Sequence, residues 1–411
     1  MNDVEWLWKG EGRTGIGIRC LAHMAVCLCL LLGGAFLAPL LGAESTVYSH
    51  RYQEGMPYLL CEVEITGAGK TLLMVDTAAS GTVFDSSFAR KIGLSVKMGE
   101  GLVNPNSSKP SDIAFFQAPQ MRLGNMDLPG ITRVGVLELS RFKRLTGFDI
   151  KGVLGLDALM DKILEVDMDK SEMRIYRNAE PLTPFPQSIY LRRSTGGVRV
   201  LDVKLAETPL AFMLDTGSTS CIELKASHFD ILRAENWVKP SGHPSYIYLQ
   251  SGLARVQSGI FMEGKILGVP LASKEVGRSE LDMLCLEFLN FFHFAIDFPN
   301  SRLHWKARPG FKGLFSAEMQ IGAQFHYLED GRVVIGAMVE NHSSPASGLR
   351  LQQGDEVLQF GAFKADQLNF QVVYQVCQKF AAKKVSFKVA RKQRVIFDGE
   401  IELPAIHRSP E

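Results

Sequence analysis

The feature that most constrains this chain is a segment written twice. "LLMVDTAASGTVFD" (72–85) returns as "AFMLDTGSTSCIEL" (211–224), with the two aspartates 215 − 76 = 139 residues apart. Each copy opens on an alternating apolar run, "YLLCEVEI" (58–65) or "VRVLDVKL" (198–205). Each closes on a longer one, "GVLGLDALMDKILEVDMDKSEMRIY" (152–176) or "DMLCLEFLNFFHFAIDFPNSRLHW" (282–305). A repeat of this length means a duplicated domain and not a solenoid, whose units are far shorter. The stretch Thr46 to Arg308 is therefore one unit present twice. "RNAEPLTPFPQ" (177–187), with its three prolines, is the joint.

Inside each copy the apolar residues come in short Val/Ile/Leu/Phe runs, many of them alternating, between Gly, Asn, Asp and Pro. That is the period of strands. The spacing predicts a mainly β fold with one short helix per copy, placed on "LDALMDKIL" and "LEFLNFFH". The domains expected are lobe one over 44–180, lobe two over 188–308, and a separate compact domain over 311–405. In that last region a helix is expected over 368–381, before the strands "KVSFKVAR" and "RVIFDGEIEL".

Residues 1–43 stand apart. Arg13, Arg19 and His23 precede "MAVCLCLLLGGAFLAPLLGA" (24–43), which is almost uncharged and ends in small residues. This reads as a secretory signal, cleaved near Glu44, in preference to a membrane anchor. Either way the remainder is expected to leave the cytoplasm, as a periplasmic or secreted protein whose membrane contact is confined to that segment. A net charge of +1 gives no footing for nucleic acid. Cys61, Cys221, Cys285 and Cys377 lack metal-ligand spacing and sit in apolar runs, so they read as buried small hydrophobes. No metal and no cofactor is expected. "GAGK" (67–70) is a hairpin turn, since a phosphate loop needs a longer glycine pattern.

Taken alone, an Asp-Thr-Gly tripeptide says little; chance supplies one in roughly a fifth of chains this long. Here both carboxylates end apolar strands, and a buried carboxylate needs partners. The following threonine and small residues can supply a hydroxyl and close backbone N–H groups. Two such turns brought together would place two carboxylates in hydrogen-bonding reach. They could not both ionise, so they would share one proton. One could then take a proton from water while the other gives one to a carbonyl or a leaving amine.

On "VDTAASGTV", "LDTGSTSCI" and the apolar-apolar-Gly signature in "VLGLDAL", the stretch 47–308 resembles the retropepsin-like and pepsin-like aspartic proteases in two-lobed, single-chain form. The resemblance implies duplicated acid-protease β-barrel lobes and an aspartic-type endopeptidase acting on peptide or protein substrates. It implies Asp76 and Asp215 as the catalytic pair and Thr77 and Thr216 as interlocking hydroxyls beneath them. Gly217 and Gly155 belong to the loops of the site, and Ser218 is an outer hydrogen-bond donor to Asp215. Two positions depart from the family: Ala78 replaces a glycine, and Cys285 stands where lobe two should have the counterpart of Gly155. Flap hairpins are expected in 99–116 and 241–256.

"SSPASGLRLQQGDEVLQFGAF" resembles the bacterial PDZ domain, through Leu349, Gly354, Asp355, Val357 and Leu358. Such domains bind extended peptide, often a protein C-terminus, by adding it as a strand at a sheet edge. Gly313, Leu314 and Phe315, or else 320–322, could hold the terminal carboxylate. The domain could instead serve only for packing. Two other readings stay open: an inactive peptide-binding protein on the same fold, and an envelope scaffold acting through the PDZ-like domain.

Overall fold

The computed structural model describes residues 47–51, 58–94, 114–194, 196–240, 245–249, 252–308, 321–328, 330–338 and 345–403. The apolar segment 24–43, most of the first flap candidate and Gly313, Leu314 and Phe315 lie outside the described residues.

Each copy builds an eight-stranded sheet on one plan. In lobe one the strands Leu60–Ile65 and Gly69–Val75 form a hairpin. Its turn holds Gly67 and Gly69 at φ of +86° and +75°, which glycine adopts without strain. Glu62 and Glu64 point to solvent while Cys61, Val63 and Ile65 enter the core, as the alternation requires. Val75 then pairs in parallel with Leu154 of the strand Gly152–Leu154. That strand is antiparallel to Val83–Asp85 on its other side. The segment 76–82 thus leaves one strand and returns two strands away.

Lobe two repeats the arrangement. Thr208–Asp215 runs parallel to Met283–Cys285, with Asp215 opposite Cys285. Ile222–Lys225 returns antiparallel on the far side of Met283–Cys285. A six-stranded sheet joins the copies where Ile163–Asp167 of lobe one pairs antiparallel with Phe292–Asp297 of lobe two. One hydrophobic core runs through both lobes, with Phe288, Phe292, Phe294 and Phe298 fully buried within it. The lobes are duplicated in sequence but share a sheet and a core.

The helices differ from expectation. "LDALMDKIL" makes only a 3-10 turn at Leu156–Ala158 before entering the strand Ile163–Asp167. "LEFLNFFH" likewise yields four helical residues and then a strand. A short apolar run is compatible with either state, and pairing across the joining sheet selects the strand. Among the described residues, helices not anticipated are α1 at Ser86–Lys91, α2 at Ser140–Thr146 and α3 at Ala226–Ala234; α4 is Leu286–Leu289 and α5 is Phe370–Lys379. Asp85 starts α1 by accepting from the backbone N–H groups of Ser87 and Phe88. Gly147, at φ +81°, ends α2.

After 320, strands Ala323–Tyr327, Val333–Met338, Glu356–Phe360, Lys384–Arg391 and Arg394–Glu402 lie side by side in chain order. Phe325, Phe360 and Phe387 pack ring on ring, at centroid distances of 6.0 to 6.2 Å. The helix anticipated over 368–381 is α5, capped by Asn369. This core is not a closed one, however. Leu145 of α2, only 3% exposed, belongs to it, so lobe one supplies part of the C-terminal domain's interior.

Candidate active site

The strand ends Val75 and Leu214 bring the two acidic turns together. Thr77 Oγ1 donates to the Leu214 carbonyl at 2.6 Å, and Thr216 Oγ1 donates to the Val75 carbonyl at 2.8 Å. Each threonine hydroxyl also accepts the other's backbone N–H, at 3.2 and 3.1 Å. All four groups are buried, where such bonds are costly to leave unmade. This lattice fixes the spacing of the aspartates.

Asp76 Oδ1 accepts from the N–H groups of Ala78, at 2.8 Å, and Ala79, at 2.9 Å. Asp215 Oδ1 accepts from Gly217 at 2.8 Å, and the Ser218 N–H also bonds to its carboxylate. The two carboxylates are hydrogen-bonded to each other. Burial pushes both above the usual carboxylate range. For Asp215, the more buried by exposed area, the Asp76 charge beside it adds to the effect of burial. The site therefore favours one proton held between them.

The Ser218 side chain does not serve the outer role expected of it. Its Oγ lies 3.1 Å from Ser220 Oγ and hydrogen-bonds Cys285, leaving only its backbone N–H for Asp215. Ser220 in turn donates to the buried Glu223 at 2.6 Å.

Gly155 and Cys285 occupy matching places with nearly the same backbone, φ −92° and −94°. Conformation therefore does not demand glycine there; space does. A Cβ on Gly155 would lie 2.5 Å from the Gly81 carbonyl and 3.0 Å from that of Ala79. The cysteine at this position in lobe two is fully buried.

Asp157 was not anticipated as part of the site. It takes the Thr82 N–H at 2.9 Å and the Thr82 hydroxyl at 2.7 Å, while Thr82 Oγ1 accepts from Gly155 N–H at 3.2 Å. The loop 76–82 is so braced from the closing segment. "GLD" following an apolar pair carried that signal, but a lone exposed-looking acid masks it. Its partner by position is Glu287 of "CLE", raised to about 7 by burial. The four cysteines Cys61, Cys221, Cys285 and Cys377 are buried. Among the described residues no cluster of His, Cys, Asp and Glu is arranged to hold a metal.

Residues 61–158 match the family model described as aspartyl protease. No curated protein matches the sequence. Among solved structures, the chain is similar to an aspartic proteinase from Irpex lacteus, at 13% identity and a TM-score of 0.37, covering 64% of this chain and 98% of that one. It is also similar to a retropepsin-like aspartic protease from Rickettsia conorii, at 17% identity and a TM-score of 0.25, over 32% of this chain and 93% of that one.

Proposed function

We propose that the protein is an aspartic endopeptidase in which Asp76 and Asp215 activate water against a peptide carbonyl. One observation carries the reading: two mutually hydrogen-bonded, buried carboxylates held by a reciprocal threonine lattice. Asp76, which also has two N–H donors but is the less buried of the two, is the anion and takes a proton from the attacking water. Asp215, the more deeply buried, carries the shared proton and gives it to the carbonyl oxygen as the C–O bond forms. On collapse Asp76 returns its proton to the departing amine nitrogen, the C–N bond breaks, and a hydroxyl proton of the diol goes back to Asp215. No side-chain nucleophile is needed.

Incubation with denatured casein at about pH 4 and about pH 7, with and without pepstatin, tests the reading. Pepstatin-sensitive cleavage is the expected result. A cleft that binds pepstatin but cuts nothing would favour the inactive peptide-binding alternative, which draws on the methyl of Ala78 beside the pair. The C-terminal domain is read as a PDZ-like module for extended peptide, supported by its motif and by the edge position of Ala323–Tyr327 beside α5. The run 24–43 supports an exported protein, to be checked by sequencing its mature N-terminus, expected near Glu44.

A further inference from the structure

Helix α2 has a different partner on each side. Toward the C-terminal domain, the Arg144 guanidinium binds the Leu368 carbonyl, the Gly331 carbonyl at 2.9 Å and the Ala365 carbonyl at 3.1 Å. It also lies over the Tyr327 ring at 5.9 Å. Those carbonyls come from two separate segments, so the fork engages only when that domain is folded. Leu145 beside it is buried in the domain's core. Gly147 sits so close to Asn369 that a Cβ would fall 2.7 Å from its Oδ1.

Toward lobe one, Phe142 meets Tyr58 edge-on at 6.0 Å. Both belong to a small cluster with Leu60, Met74, Leu139 and Val153, and Ala79 packs on the same cluster. Ala79 donates one of the two N–H groups on Asp76. At its base, the Leu139 N–H is fixed to Asp85 Oδ2 at 3.0 Å. A continuous line of contacts therefore runs from the C-terminal domain to the acidic loop.

We propose that Arg144 is a positioning residue for the Asp76–Asp215 pair: by fastening α2 to the C-terminal domain, it holds the aromatic cluster against which the Ala79 loop rests. The proposal builds on the protease reading. It makes the C-terminal domain part of the catalytic unit and not merely a tethered recruiter. The strand Ser245–Leu249 of lobe two also lies against Val333–Met338, so the domain touches both lobes.

The test uses the full chain carrying Arg144→Ala, Arg144→Lys or Phe142→Leu. Turnover of a hexapeptide is measured across pH, and hydrogen exchange is followed in 76–82 and in the C-terminal sheet. Arg144→Ala should lower kcat about tenfold with KM changed less than about threefold. Weaker N–H bonds to Asp76 favour its charged form less, so the acid limb of the profile should move to higher pH. The titratable group bonded to Asp76 is Asp215, itself beside Glu223 and Cys285, and neither of those touches α2. Exchange in 76–82 should quicken while the C-terminal sheet stays protected, and lysine should restore part of the loss. Phe142→Leu acts at the other end of the line and should give the same signature if Arg144→Ala unfolds the domain. Folded variants with unchanged kcat, acid limb and loop exchange overturn the proposal. If the parent chain cuts no peptide, it is the protease reading that fails, and loop exchange alone still decides the coupling.

Discussion

A Cβ on Gly217 would stand 2.4 Å from Asp76 Cγ, across the boundary between the lobes. Gly217 is not in the left-handed region, so glycine is required there for space alone. Gly217→Ala should push the Asp76 carboxylate out of its bond with Asp215 and cost at least about a hundredfold in kcat/KM, roughly 3 kcal/mol of barrier. Its counterpart by sequence is Ala78, whose φ is not positive and whose N–H still serves Asp76. Ala78→Gly should therefore change kcat/KM by less than about tenfold. If that glycine instead confers activity on an inert parent, the methyl is a disabling change.

The carboxylate pair makes the second prediction. Asp215→Asn should abolish cleavage, because the amide is nearly isosteric but cannot cycle the proton. Its fold should survive, and at neutral pH it should gain stability, since the parent must take up a proton at Asp215 on folding and the amide need not. Urea denaturation of the variant reads the second effect independently of activity. Residual turnover above about a hundredth of the parent's would sink the mechanism.

How much of this could be read from the sequence depended on what each residue's role leaves in the local pattern. The doubled "DT" turns, the flanking strands and the positions of Asp76, Thr77, Asp215 and Thr216 are periodic and paired, so they were legible. The short helices were not, because runs such as "LDALMDKIL" obey either period and only pairing between Ile163–Asp167 and Phe292–Asp297 decides. Ser218 turns toward Ser220 and Cys285, a side chain that lobe two carries where lobe one has room only for Gly155. The role of Leu145 and Arg144 was invisible for another reason. Their partners lie some two hundred residues away, and nothing in "SRFKRLTG" distinguishes a docked helix from a solvated one.

Gly155 and Cys285 supply a matched pair of stability measurements. Because Gly155 has an ordinary backbone conformation but no room, Gly155→Ala should destabilise by about 1–3 kcal/mol through overpacking against the Gly81 and Ala79 carbonyls. Cys285→Ala removes one buried sulfur from a site already shaped for a side chain, and should cost only about 1 kcal/mol. Denaturation midpoints at one pH compare the two directly. Equal costs would mean that the loops of the two lobes tolerate bulk alike.

The pH dependence of stability follows from acids that burial holds protonated. Glu287 is raised from an ordinary 4.5 to about 7, chiefly by burial. Below 4.5 both the folded and the unfolded chain carry this proton, and the group leaves the balance unchanged with pH. Between 4.5 and 7 the unfolded chain has released it while the folded chain retains it. The unfolded state then binds fewer protons, so stability falls as pH rises, and levels off once the folded group ionises too. Partial contact with solvent limits the loss to about 2 kcal/mol. Asp157 and Glu223 are raised by burial in the same direction and add to the slope. Asp85 and Asp149, which accept hydrogen bonds in their charged forms, are lowered and act only at more acid pH. The folded protein should thus be most stable in mild acid. Urea midpoints taken between about pH 5 and about pH 8 should decline, and Glu287→Gln should flatten part of that decline by removing the ionisation. A Glu287→Gln chain with the parent's full slope would show that this carboxyl ionises freely in the folded state.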